Sequence, residues 1–141
     1  MTPVLLGKID LLGATCSIGL ARMYMREVLQ KAERRIPGST VDDIVLLSGE
    51  VVANAVKHSA SGHRRGGVVG LLVHDDGRTV RVEVVDEGSE ETVPQIPAQV
   101  DPLSEGGRGL WLVRELSSGW GWRQDGPSRV VWFEISGTSL K

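Results

Sequence analysis

At 141 residues the chain is long enough for one domain with a real core, and it reads as a single domain over residues 1–141. Sixteen Lys and Arg against 18 Asp and Glu leave it nearly neutral, which argues against nucleic acid or an anionic membrane as its main partner. A lone cysteine, Cys16, excludes an intrachain disulfide and suits a reducing, cytoplasmic setting. The N-terminal apolar stretches are too short and glycine-punctuated for a signal peptide, and no run approaches the roughly 20 apolar residues of a membrane span.

In chain order, residues 3–12 suit a short strand or an extended arm. Ser17 reads as the N-cap of a helix running to about residue 35, stopped by Ile36-Pro37-Gly38. Thr40 then caps a second helix, with Asp42 and Asp43 in its first turn, ending near Ser59 before a basic, glycine-rich turn. Residues 68–74 and 79–85 read as strands joined by Asp75-Asp76-Gly77, and Val80, Val82 and Val84 alternate with Arg81 and Glu83. The second of these strands runs into Asp86-Glu87-Gly88. A proline-containing loop leads to Ser104-Glu105-Gly106-Gly107-Arg108-Gly109, which opens a third helix over residues 110–116. Strands over residues 119–123 and 129–135 follow, joined by Asp125-Gly126-Pro127. This order predicts an α/β (α+β) two-layer sandwich: a mostly antiparallel sheet with helices covering one face.

The second helix carries an internal conflict. Glu50, Asn54 and His58 recur every four residues, so each is turned only about 40° from the last and the three share one stripe. Lys57 borders that stripe. The rest of the circumference is Ile44, Val45, Leu46, Leu47, Val51, Val52, Ala55 and Val56, the pattern of a buried helix. An acid and an amide on a buried helix need a cavity or a ligand, unless the stripe simply faces solvent. The glycines before the third helix can form an anion site, because free N–H groups and the helix dipole both favour negative charge. Alone they serve equally as a helix-entry turn, and Asp86-x-Gly88 alone serves as a plain turn.

Together and in this order, the three motifs resemble the GHKL ATPase family. Within it the resemblance is to the small stand-alone branch of RsbW/SpoIIAB-like anti-sigma serine kinases. The first box stands here as Glu50-Val51-Val52-Ala53-Asn54-Ala55-Val56-Lys57-His58, the second as Asp86-Glu87-Gly88. The third is Glu105-Gly106-Gly107-Arg108-Gly109-Leu110-Trp111-Leu112-Val113. The likeness extends from about Ser17 to Glu134. It implies the Bergerat-type ATP-binding fold and the cofactors ATP and Mg²⁺.

It also implies roles for individual residues. Glu50 becomes the general base and Asn54 the Mg²⁺ ligand; Lys57 counts among the nucleotide-binding residues, although its place with His58 at the far end of the stripe suits a structural or partner-facing job. Asp86 takes the adenine amino group and Gly88 lets the backbone approach the base. Gly107, Arg108, Gly109 and Leu110 form the phosphate-wrapping turn and the helix start behind it. The implied partners are a sigma factor and a STAS-type anti-anti-sigma protein; relatives often form homodimers, and that state stays open. Serine phosphorylation of the STAS partner is one implied activity, and an ATP-binding regulatory module without phosphotransfer is the alternative.

The chain departs from the family pattern in its second box, in its last strand and in the short loop, residues 89–105, between the second and third boxes. Glu90 replaces the second glycine of the second box, and the resemblance puts Val130 where relatives carry an adenine-site threonine. Arg22 and Arg26, four apart on the first helix, suggest a protein-contact face. Trp111, Trp122 and Trp132 read as core residues. His58, His63, His74 and Cys16 lack metal-ligand spacing.

Overall fold

A computed structural model describes residues 2–58, 66–88 and 108–137. The elements are β1 (Val4–Leu12), α1 (Cys16–Leu29), α2 (Gly38–His58), β2 (Val68–Asp75), β3 (Thr79–Asp86), α3 (Arg108–Leu116), β4 (Gly119–Asp125) and β5 (Ser128–Ser136). The strands form one antiparallel sheet in the order β1-β2-β3-β5-β4. The chain leaves β3, forms α3, adds the edge strand β4 and returns as β5 between the two.

The helices lie on one face of this sheet, as the α+β sandwich predicted. Helix α2 packs against α1 on one side and α3 on the other, and reaches β2, β3 and β5 beneath. Its residues Ile44, Leu47, Val51, Val52 and Ala55 meet Val69, Leu71, Val73, Val80, Val82, Val84, Val131 and Phe133 of the sheet, all essentially inaccessible to water. The strand alternation is regular: Val80, Val82 and Val84 point to the helices while Arg81 and Glu83 point away. Ser48, buried in α2, satisfies its hydroxyl by donating to the Ile44 carbonyl one turn back, at 2.7 Å.

The helix boundaries differ from those read in the sequence. Thr15, not Ser17, is the N-cap of α1, and it makes no side-chain capping bond. Ser17 is already inside the helix and donates to the Leu12 carbonyl at 2.6 Å, tying the helix to the end of β1. At its far end α1 stops at Leu29 rather than near residue 35. The chain leaves the helical path there and delivers Arg34 to a buried acceptor set. The guanidinium lies 2.9–3.2 Å from the Asp75 carboxylate and donates to the Gly137 carbonyl at 2.6 Å. Losing one partner of a buried pair of that kind would be costly. Helix α2 begins before Thr40, because the Pro37 carbonyl takes the Val41 N–H at 3.0 Å. Thr40 therefore sits within the helix, and Asp42 and Asp43 lie beyond its first turn.

The tryptophans are not all core. On β5 the inward positions belong to Val131 and Phe133, so period-two alternation turns Trp132 to the open face. There its ring stacks beneath Arg81, 4.2 Å from guanidinium carbon to ring centroid. Trp122 is 39 % exposed on the outermost strand, and Trp111 is half-buried on α3.

Candidate functional site

Burial separates the α2 stripe from the rest of its helix. Val51, Val52, Ala55 and Val56 are buried; Glu50 and Asn54 are half-buried and Lys57 is exposed. Neither the acid nor the amide is sunk in the core, and neither is fully given to solvent. Their four-residue spacing on a continuous helix puts both on one side of α2. The side chain of His58 lies outside the described residues.

Glu50 has a cationic neighbour that the sequence did not single out for it. Arg22 of α1 places Nη2 3.9 Å from Glu50 Oε1, with the two side chains 45 % and 29 % exposed. The same guanidinium packs against Gly49, where any Cβ would overlap Arg22 Nε and come within 3.0 Å of Cζ and Nη2. Glycine inside a helix costs about 1 kcal/mol relative to alanine. Here it makes room for that crossing. Arg26, one turn on, pairs instead with the well-exposed Asp42 at 3.2 Å.

Asp86 is the last residue of β3, on the helix-covered face and 2 % exposed. Its Oδ1 accepts the Gly88 N–H at 2.6 Å. Across the sheet its register partner is Arg129, not Val130, and Arg129 Nη2 lies 3.6 Å from Asp86 Oδ2. Burial pushes the Asp86 carboxyl above the usual carboxylate range; the Gly88 N–H and the Arg129 charge oppose that rise without cancelling it. Val130, where the resemblance places the family's adenine-site threonine, pairs with Val85 one position back. Antiparallel register decides which residue faces which, and sequence spacing across a loop does not carry it.

Gly88 adopts φ +75°, and a Cβ there would sit 2.7 Å from the Pro127 carbonyl oxygen. The fold itself therefore requires glycine at this position, to bring the exit of β3 against the β4–β5 turn.

Of the third motif, Arg108, Gly109 and Leu110 form the first turn of α3, which packs on α2. Their side chains, and Glu105, Gly106 and Gly107 altogether, lie outside the described residues. A cleft of about 500 Å³ opens elsewhere, between the end of α1 and the start of α2, lined by Arg26, Leu29, Arg34, Ile36 and Val41. Glu50, Asn54 and Asp86 do not line it.

Asp86 and Asn54 each carry chemistry that a nucleotide can use. A carboxylate has about four acceptor positions, so Asp86, with the Gly88 N–H on Oδ1 and Arg129 facing Oδ2, keeps positions for an exocyclic amine. Asn54 offers one neutral oxygen donor a turn from an acid, which fits a Mg²⁺ that takes most of its shell from phosphates and water. Residues 14–135 match the family model of the histidine kinase-like ATPase domain, which is nearly the whole chain. The chain belongs to that family. ATP is the ligand that membership implies.

Solved structures agree on the architecture of this histidine kinase-like ATPase domain. The RsbU and RsbW domains of Rv1364c from Mycobacterium tuberculosis superimpose with a TM-score of 0.65 at 19 % identity, covering all of this chain and 35 % of that one. The histidine kinase domain of the Erythrobacter litoralis EL346 blue-light activated histidine kinase gives 0.50 at 25 % identity, over 86 % of this chain and 59 % of that one. A further structure of the EL346 kinase gives 0.51 at 27 %, over 88 % and 41 %. The chain thus spans between about a third and three-fifths of the length of these structures. No curated protein matches it significantly. Among the described residues no helix is long and apolar enough to cross a membrane.

Proposed function

We propose that the chain is a Mg·ATP-dependent protein serine kinase of the anti-sigma type, phosphorylating a STAS-domain antagonist and holding a sigma factor in the alternate state. The observation that carries this reading is Glu50. It is a half-buried acid one turn from Asn54, on a helix whose other faces are core. A domain that only binds nucleotide has no need of an acid there.

In this scheme Asp86 receives the adenine amino group and Asn54 gives its side-chain oxygen to Mg²⁺, with Lys57 near the nucleotide. The turn at Gly107, Arg108, Gly109 and Leu110 closes over the phosphates. A Mg²⁺ held there would supply charge neutralisation to the phosphates. Glu50 takes the proton of the attacking serine hydroxyl as its oxygen bonds to the γ-phosphorus and ADP leaves with the bonding electron pair.

One observation favours a second reading, an ATP-binding regulatory module with little phosphotransfer. The second box departs from the family pattern, with Glu90 in place of its second glycine. Incubating γ-labelled ATP with a purified STAS-domain protein, using wild type and Glu50→Ala, separates the two. Label on the partner that disappears with Glu50→Ala supports the kinase; nucleotide binding without label supports the module.

A further inference from the structure

We propose that Arg22 is a positioning residue for Glu50, and that Gly49 serves to let its guanidinium reach that acid. The inference rests on the reading of Glu50 as general base, and deepens it.

Two rungs join α1 to α2. Arg26 meets Asp42 and Arg22 meets Glu50, so the helices run in opposite directions along this seam. The first rung is an ordinary surface pair, with side chains 57 % and 68 % exposed. The second is built differently. Its acid is 29 % exposed, and its arginine occupies the space that a side chain at position 49 would fill. Glycine in the middle of a 21-residue helix is otherwise unfavourable, and no positive φ requires it there.

The separation matters as much as the contact. At 3.9 Å the Nη2–Oε1 distance lies beyond hydrogen-bond reach. Arg22 therefore attracts and orients the Glu50 carboxylate without occupying the lone pairs that must accept a proton. A bidentate clamp, like that of Arg34 on Asp75, would hold the acid more firmly and leave it a poorer base.

The test combines ADP formation at saturating Mg·ATP with a STAS-domain acceptor present, Mg·ATP affinity, and the ¹³C carboxyl resonance of Glu50 in nucleotide-free protein. Arg22→Ala and Gly49→Ala are expected to slow ADP formation about tenfold through misorientation of the acid, leaving the Kd for Mg·ATP within about twofold. Arg22→Lys should recover part of the loss. In a Glu50→Gln background, Arg22→Ala should add less than about a twofold further effect, as expected of residues acting as a unit. The Glu50 resonance should move in Arg22→Ala and Gly49→Ala and stay put in Arg26→Ala. Multiplicative loss in the Glu50→Gln background, a matching loss of nucleotide affinity, or an unmoved resonance would each overturn the proposal. A Glu50→Gln protein as fast as wild type would remove the general-base reading and this proposal with it. The resonance distinguishes that failure from one in which Arg22 simply does not touch the acid.

Discussion

Asp86 on β3 and Arg129 on β5 face each other across the strand pair, with Nη2 3.6 Å from Oδ2 and both side chains no more than 3 % exposed. A second buried pair, Arg34 with Asp75, closes the sheet at the other end of the β2–β3 hairpin. Between them lies the valine core of Val80, Val82 and Val84. One pair is a structural tie, and the other sits where the nucleotide base is proposed to bind.

Removing Arg129 alone strands the Asp86 charge in the interior. Arg129→Met is expected to destabilise the fold by about 3 kcal/mol, and the double variant Asp86→Asn/Arg129→Met to regain most of that loss. Urea unfolding of the four proteins of this cycle measures it. A double variant no more stable than Arg129→Met would show that the two charges are not coupled.

Arg34→Ala should be costlier than most surface changes. It leaves the Asp75 carboxylate and the Gly137 carbonyl without their guanidinium, and losing one partner of a buried pair typically costs about 3–5 kcal/mol. Thermal melts should reveal it, with Arg26→Ala, from the exposed rung, nearly neutral.

Two aspartates should give opposite pH signatures. The Asp86 pKa is raised in the folded state by burial, so between the ordinary 3.8 and its raised value the native protein binds more protons than the unfolded chain. Its contribution to stability therefore falls as pH rises through that window and is level above it. Asp76 is lowered, chiefly by the N–H groups of Thr79 and Arg78, so its contribution is present above 3.8 and lost as pH falls toward its lowered value. Melting temperatures of wild type, Asp86→Asn and Asp76→Asn between pH 3 and 7 provide the readout. The difference between wild type and each variant should slope in opposite directions.

Gly88→Ala tests whether that glycine is needed by the fold before any ligand arrives. A left-handed φ costs an alanine about 1–2 kcal/mol, and the Pro127 carbonyl adds a clash. The expected outcome is a lower melting temperature in nucleotide-free protein. Unchanged stability with weakened Mg·ATP binding would assign Gly88 to the ligand alone.

Asn54→Ala should behave in the reverse way. The amide is half-buried at the edge of the core, so stability should change by less than about 1 kcal/mol, whereas Mg·ATP affinity should fall at least about tenfold. Calorimetry with and without Mg²⁺ checks this, because the wild-type advantage should shrink when the cation is withheld.

The strand and helix order was legible because each element repeats a simple local signal. Val80, Val82 and Val84 alternate, the α2 valines and leucines recur at helical spacing, and Asp75-Asp76-Gly77 marks the hairpin, with φ +96° at Gly77. The stripe of Glu50 and Asn54 was legible for the same reason. The end of α1 was not, since Arg34 leaves the helical path for acceptors 41 and 103 residues away. Trp132 was misjudged because large aromatic side chains suit either face of a strand.

The amino-acid order by itself determined the sandwich of helices on an antiparallel sheet and the family to which it belongs, because periodicity and motif spacing are properties of neighbouring residues. Tertiary structure decided who stands beside whom: Arg129 before Asp86, Arg22 across Gly49 to Glu50, and Pro127 against Gly88. Those meetings join residues that strand register and helix packing bring together from opposite parts of the chain. No local rule of spacing carries that information.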